Sequence, residues 1–268
     1  MSVFARLIKV SATAVLGMSM LAGISAHADT PLRVYGPGGP APAMKAAAVE
    51  FTRETGVQVQ VVAGPLPQWA DSAHRDADML YSGSEDMMSS LVAKFGDEVD
   101  AGSVTPLYMR PAVLLVRPGN PHHIGGIADL MKSNVRLMVV NGAGQTGLWE
   151  DIAGRDGDIS KVKTFRRKIA VFAPNTGAAL KRWKEDPSID AWLAYNIWAV
   201  ANPGIADVVQ IEPDYRLYRD CGMVLTRRGA ARDEARQFAT FLASKKAQAI
   251  FAKYGWGGED VQTGDITD

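Results

Sequence analysis

Val34-Tyr35-Gly36-Pro37-Gly38-Gly39-Pro40-Ala41 decides the reading of this chain. An apolar pair runs into glycines and prolines, and a helical pattern follows at once, with Met44, Ala47, Ala48 and Phe51 at i, i+3, i+4 and i+7. The stretch predicts a strand, a tight turn and a helix. The first-turn N–H groups of such a helix have no partner within it, so they suit an anion. Pro40 and Pro42 fit that first turn, where a missing N–H does no harm. Gly38 and Gly39 leave room for a ligand to approach the backbone. Joints of the same kind recur at Tyr81-Ser82-Gly83-Ser84, at Asn141-Gly142-Ala143-Gly144-Gln145-Thr146-Gly147 and at Pro174-Asn175-Thr176-Gly177.

The segments between these joints alternate. Val57, Val59, Val61 and Val62 form a β-branched second strand closed by Gly64-Pro65, and Asp78 to Tyr81 form a third. Ser84 then caps a helix carrying Met88, Leu91, Val92 and Phe95 on one face. A β-α-β order of this kind predicts an α/β fold with a parallel sheet. Leu107 to Arg117 next runs as a long extended segment. Beyond it a second α/β region is expected: a helix over Ile127–Met131, a strand over Val135–Val140, a helix through Leu148, Trp149 and Ile152, and a strand over Ile169–Phe172 leading into a helix through Trp183. Lys161 to Lys168 reads as an irregular, solvated basic surface. Ser188 is expected to cap a helix with Ile189, Trp192, Leu193 and Ile197 inward, before a strand over Val208–Ile211. Tyr215 to Thr226 is a second extended run, and Ala230 to Tyr254 reads as one long helical stretch. If both extended runs are crossings, the chain forms two α/β lobes, 29–110 with 221–268 and 111–220, joined by a two-strand hinge. The strand-to-helix turns would then face the cleft.

Composition narrows the function classes. Hydrophobic residues make up 47% of the 268 and charged residues 22%, which is the balance of a globular protein with a sizeable core. Net charge is zero and no long basic run occurs, which points away from nucleic acid. Residues 1–28 read as a cleaved export signal: Arg6 and Lys9, an apolar run from Val10 to Ile24, then the small-x-small site Ala26-His27-Ala28. Its removal leaves a net charge of −2 and no stretch long enough to span a bilayer. The mature chain is therefore expected in the periplasm. Cys221 is the one cysteine, so no internal disulfide can form, and a core thiol is expected.

Three of the four turns carry neutral polar side chains: Ser82 and Ser84, Gln145 and Thr146, Asn175 and Thr176. None holds a lysine or arginine, so an anion there would be bound by dipoles and neutral hydrogen bonds. The same residue types are also ordinary helix caps. Tyr195, three residues after Trp192, turns its hydroxyl into the cleft or stays in the core; both readings stand. Arg110 and Arg219, in the two crossings, either offer charge to a carboxylate or phosphate or lie on the surface. Gly36-x-Gly38-x-x-Ala41 fits a dinucleotide fingerprint, but the second strand ends at Val62-Ala63-Gly64 with no acid to hold a ribose. His122-His123 stand side by side, a poor spacing for chelating one metal. No nucleophile elbow, phosphate-binding lysine motif or base set is found, so neither catalysis nor a cofactor is expected.

The first three turns, extended to Ser82–Met88 and Gly142–Asp151, resemble the accessory colonization factor C family. These are exported solute-binding proteins related to the molybdate and sulfate binders, and the resemblance runs over most of the mature chain. It implies a two-lobed type II periplasmic binding fold that closes on a small anionic ligand: a sulfate- or molybdate-like oxyanion, or a phosphorylated or carboxylated metabolite. It further implies contacts from Gly38, Gly39, Ser82, Gly83, Ser84, Gly144, Gln145, Thr146 and Gly147, and, by a looser match, Asn175, Thr176 and Tyr195. An ABC permease or a chemoreceptor is the implied partner, and a homodimer is left open. A surface adhesin on the same fold is the alternative reading.

Overall fold

The computed structural model describes residues 30–142 and 144–257. The expected export signal, residues 1–28, and the chain beyond residue 257 lie outside them.

The first region builds outward from β1 (Leu32–Gly36), which pairs in parallel with β2 (Val59–Ala63) and β3 (Met79–Tyr81). Helix α1 (Ala41–Thr55) buries an alanine-rich face with Met44 and Phe51, and ends at Gly56, whose φ of 78° closes the cap on Thr52. α2 (Leu66–Asp76) and α3 (Glu85–Phe95) cover the sheet, the latter capped by Ser84, whose Oγ accepts from Met87 N. Gly36 is required where it stands. A Cβ there would lie 2.6 Å from the ring of Tyr81, so only glycine lets β1 and β3 close up before the first turn.

β4 (Thr105–Val116) then runs through the whole molecule. Its first half pairs antiparallel with β9 (Tyr218–Leu225), which joins β3 in the first sheet. From Ala112 onward β4 pairs instead with β7 (Ala191–Tyr195) and β8 (Asp207–Gln210). β7 pairs in parallel with β5 (Leu137–Val140), and β5 with β6 (Ile169–Ala173). The strand order is β2-β1-β3-β9-β4-β7-β5-β6, with β8 on the other side of β4. Of the two extended runs, β4 pairs in both halves of the sheet, whereas β9 pairs only with β3 and the first half of β4. α4 (Ile127–Lys132), α5 (Leu148–Ala153), α6 (Ile159–Lys168), α7 (Thr176–Glu185) and α8 (Ile197–Ala201) belong to the second region.

Three expectations are corrected. The helix placed over Ile189–Ile197 is β7 followed by the short α8. Every residue of β7 is buried, and a strand covered on both faces shows an unbroken apolar run that imitates a helical face. Lys161–Lys168 is not irregular. It lies within α6, which Asp158 caps and which drives Phe165 into the core. The single helix over Ala230–Tyr254 is three: α9 (Arg227–Ala230), α10 (Asp233–Leu242) and α11 (Lys245–Ala252), the last two parted where Ser244 caps α11.

The chain returns after β9 to pack α10 and α11 against α1, with Phe51 5.0 Å from Phe238 and 5.5 Å from Phe241 between ring centres. Asp78, fully buried at the start of β3, ties this return down. It accepts from Arg33 N, Arg228 Nε and Arg232 Nη1 at 2.8, 3.2 and 3.0 Å. Cys221 is buried and unpaired in β9, as expected, and burial pushes its thiol far above the ordinary range. Among the described residues no helix is long and apolar enough to cross a membrane.

Candidate functional site

A cavity of about 180 Å³ opens where the two halves of the sheet meet. Gly38 and Gly39 reach it from the turn after β1, Gly64 from the end of β2, and Gly83 from the turn after β3. Gln145 enters from the loop after β5, and Asn175, Thr176 and Gly177 from the start of α7. Tyr195, the last residue of β7, and Arg110 of β4 complete the polar wall, while Pro37, Pro40, Pro65, Ile197 and Trp198 supply apolar surface. The C-terminal ends of six parallel-paired strands, β1, β2, β3, β5, β6 and β7, therefore converge on one space, where α/β sheets hold ligands.

Seven of the expected residues share that wall: Gly38, Gly39, Gly83, Gln145, Asn175, Thr176 and Tyr195. The other five stand off it. Ser82 is fully buried, and its Oγ accepts from Gly222 N at 3.3 Å. Ser84 spends its Oγ on capping α3. Gly144 has a φ of 78°, and a Cβ there would come 3.1 Å from the Gly83 carbonyl, so the turn after β5 lies directly against the turn after β3. Thr146 is exposed, and Gly147 is the N-cap of α5.

Arg110 is the main residue that sequence reading left unassigned. It is 3% exposed, and among the described residues lining the cavity it alone carries charge. Among the described residues no carboxylate hydrogen-bonds it, though that of Asp220 lies near enough to act on its charge. Its Nη1 donates to Asp220 O at 2.8 Å and its Nη2 to Gly83 O at 2.6 Å, while Nε has no partner. The guanidinium lies 3.8 Å from the ring centre of Tyr195 and 4.4 Å from that of Trp256, so aromatic faces share its charge. Burial pulls its pKa below the ordinary value. An arginine remains charged under that shift, so the cavity wall carries a cation.

The neighbours of Arg110 are fixed in turn. Tyr195 donates its hydroxyl to Gly144 O at 3.0 Å, and burial raises its pKa. Gln145, 2% exposed, donates from Nε2 to Thr176 Oγ1 at 3.0 Å and leaves Oε1 unpartnered. Asn175 caps α7, its Oδ1 accepting from Ala178 N at 2.9 Å, which sets the start of that ten-residue helix at the wall. Glu85 lies off the wall in the first turn of α3, with its pKa raised by burial and by neighbouring Asp220. Among the described residues no group of three or more histidine, cysteine, aspartate or glutamate side chains could hold a metal.

A buried cation, polar turns and strand ends thus surround one small cavity, and comparison with known proteins supplies the family. The family model of bacterial extracellular solute-binding proteins matches residues 32–257. This chain belongs to that family. Among solved structures, PEB3 from Campylobacter jejuni is 38% identical to this solute-binding protein and superposes with a TM-score of 0.78, covering 85% of this chain and all (100%) of PEB3. A PEB3 structure bound to L-phospholactate gives 0.79 at the same identity and coverage. The sulfate-binding protein SubI of Mycobacterium tuberculosis matches at 20% identity and a TM-score of 0.68, over 86% of this chain and 88% of SubI. The periplasmic molybdate-binding protein of Azotobacter vinelandii matches at 18% and 0.63, over 84% and 98%. The last two similarities show a shared fold. Comparison with curated proteins gives no match. The solute-binding protein thus has the type II periplasmic binding fold that its turns led us to expect.

Proposed function

We propose that this protein captures a small anionic solute in the cavity beside Arg110 and delivers it to a membrane permease or a chemoreceptor. The observation that carries the reading is the Arg110 guanidinium itself, buried, held by carbonyls and unmatched by any carboxylate hydrogen bond. A cation in that state is expensive to bury unless an anion completes it. PEB3, bound to L-phospholactate, and the sulfate- and molybdate-binding proteins place anions among the ligands of this fold. In this reading the ligand sits between two lobes, 29–110 with 221–268 and 111–220. Gly38, Gly39, Gly83, Gln145, Asn175, Thr176 and Tyr195 would contact it, while Ser82, Ser84, Gly144, Thr146 and Gly147 hold the turns in place. The protein binds without catalysing, in the periplasm, and needs no cofactor.

Thermal-shift measurements against sulfate, molybdate, L-phospholactate and dicarboxylates test this. A true ligand at a hundred times its Kd adds about 2.7 kcal/mol of stability. Silence towards every small anion overturns the reading.

A further inference from the structure

A second cation stands beside the cavity. Arg219 on β9 is the register partner of Arg110 on β4. Opposite residues of an antiparallel pair project from the same face of the sheet, so both arginines leave β4 and β9 on one side. Like charges directly opposite each other cost stability in a sheet, and here they sit where an anion would relieve them.

The two are satisfied differently. Arg110 is buried and tied to carbonyls. Arg219 keeps 29% of its side chain exposed and pairs with Asp151 of α5, whose side chain is 47% exposed. Neither member of this pair lines the cavity; the register with Arg110 is what sets Arg219 beside it.

We propose that Arg219 is a specificity-determining residue: a second cation, kept in reserve by Asp151 and released to a ligand that carries a second acidic group. This rests on the anion-binding reading above. A solvent-exposed ion pair contributes at most about fivefold to an equilibrium, so exchanging Asp151 for a ligand acid costs little. The ligand acid, sheltered beside Arg110, offers Arg219 a less screened partner. A ligand with one acidic group takes Arg110 alone and leaves Arg219 with Asp151.

Two probes that differ by one carboxylate separate these cases: L-phospholactate, and ethyl phosphate, which lacks it. Titration calorimetry at fixed ionic strength should find the wild type binding L-phospholactate roughly tenfold or more tightly than ethyl phosphate. Arg219→Gln should abolish most of that preference and leave ethyl phosphate within about twofold, since an exposed charge off the cavity wall adds little to a single acid. Arg219→Lys should restore part of it, and Asp151→Asn should tighten L-phospholactate by up to about fivefold. The inference is overturned if Arg219→Gln weakens both probes equally or neither, if the wild type shows no preference, or if it binds sulfate or molybdate but neither probe. In each of those cases the anion-binding reading survives. Binding of no anion at all overturns both.

Discussion

The hydroxyl of Tyr195 donates to the carbonyl of Gly144 at 3.0 Å while the face of the same ring carries Arg110 at 3.8 Å. One side chain therefore fixes the turn after β5 and shares the charge of the cavity. Tyr195→Phe keeps the ring and deletes the donor, leaving the Gly144 carbonyl unpaired. We expect a loss of about 1–2 kcal/mol in urea unfolding, with near-normal anion affinity, because the ring face stays over Arg110. A loss of binding as large as that of an Arg110 variant would show that the hydroxyl meets the ligand instead.

Arg110→Met replaces the cation with an apolar stem. Removing one partner of a buried, hydrogen-bonded charge pair costs about 2–5 kcal/mol of binding, so affinity for the best anion should fall by at least about thirtyfold. Circular dichroism should still report a folded chain. Calorimetry that finds the affinity unchanged would remove Arg110 from the site.

Asp78→Ala strips three donors of a fully buried acceptor. Arg228 is half exposed and Arg232 keeps Thr30 O and Glu234, so the main cost is the lost hydrogen bonds of the buried end, about 1–3 kcal/mol. The change should appear as a lower urea midpoint without direct effect on ligand contacts, since Asp78 does not line the cavity. A midpoint equal to wild type would mean that Arg228 and Arg232 find other partners at no cost.

Glu50 on α1 holds Lys246 of α11 at 2.7 Å, and bonds from Arg53 and Lys246 pull its pKa from 4.5 down to about 2. A depressed folded-state pKa adds stability that is present above pH 4.5 and fades as pH falls towards 2. Wild type should therefore exceed Glu50→Gln in thermal stability at pH 6, with the gap narrowing between pH 4 and pH 2. Because the carboxylate is at the surface, added salt should narrow it as well. A gap that does not depend on pH would assign the effect to packing.

The turns were legible because glycine, proline and capping residues act locally. Gly36 to Pro40, Ser84 and Asn175 each declare a strand end or a helix start within a few residues. The long strands β4 and β9 were legible too, as extended runs. β7 was not. Ile189, Trp192, Leu193 and Ile197 fit a helical spacing, and only the pairing of Ala191–Tyr195 with β4 and β5, distant in sequence, makes it a strand. Nor was the burial of Arg110. Tyr108-Met109-Arg110-Pro111 carries no local sign of it. The rings that enclose the guanidinium come from Tyr195 and Trp256, distant in sequence and brought together only by the return of the chain. Ser82, Ser84 and Thr146 look like ligand groups in the sequence, yet the same hydroxyl that reaches a ligand also reaches a backbone N–H, and Ser82 and Ser84 do the latter.

β4 changes partners between Pro111, opposite Tyr218, and Ala112, opposite Tyr195. Arg110 stands just before that exchange, on the strand that pairs in both halves of the sheet. A substitution there is therefore felt by both halves at once, and its cost in stability should be read separately from its cost in binding.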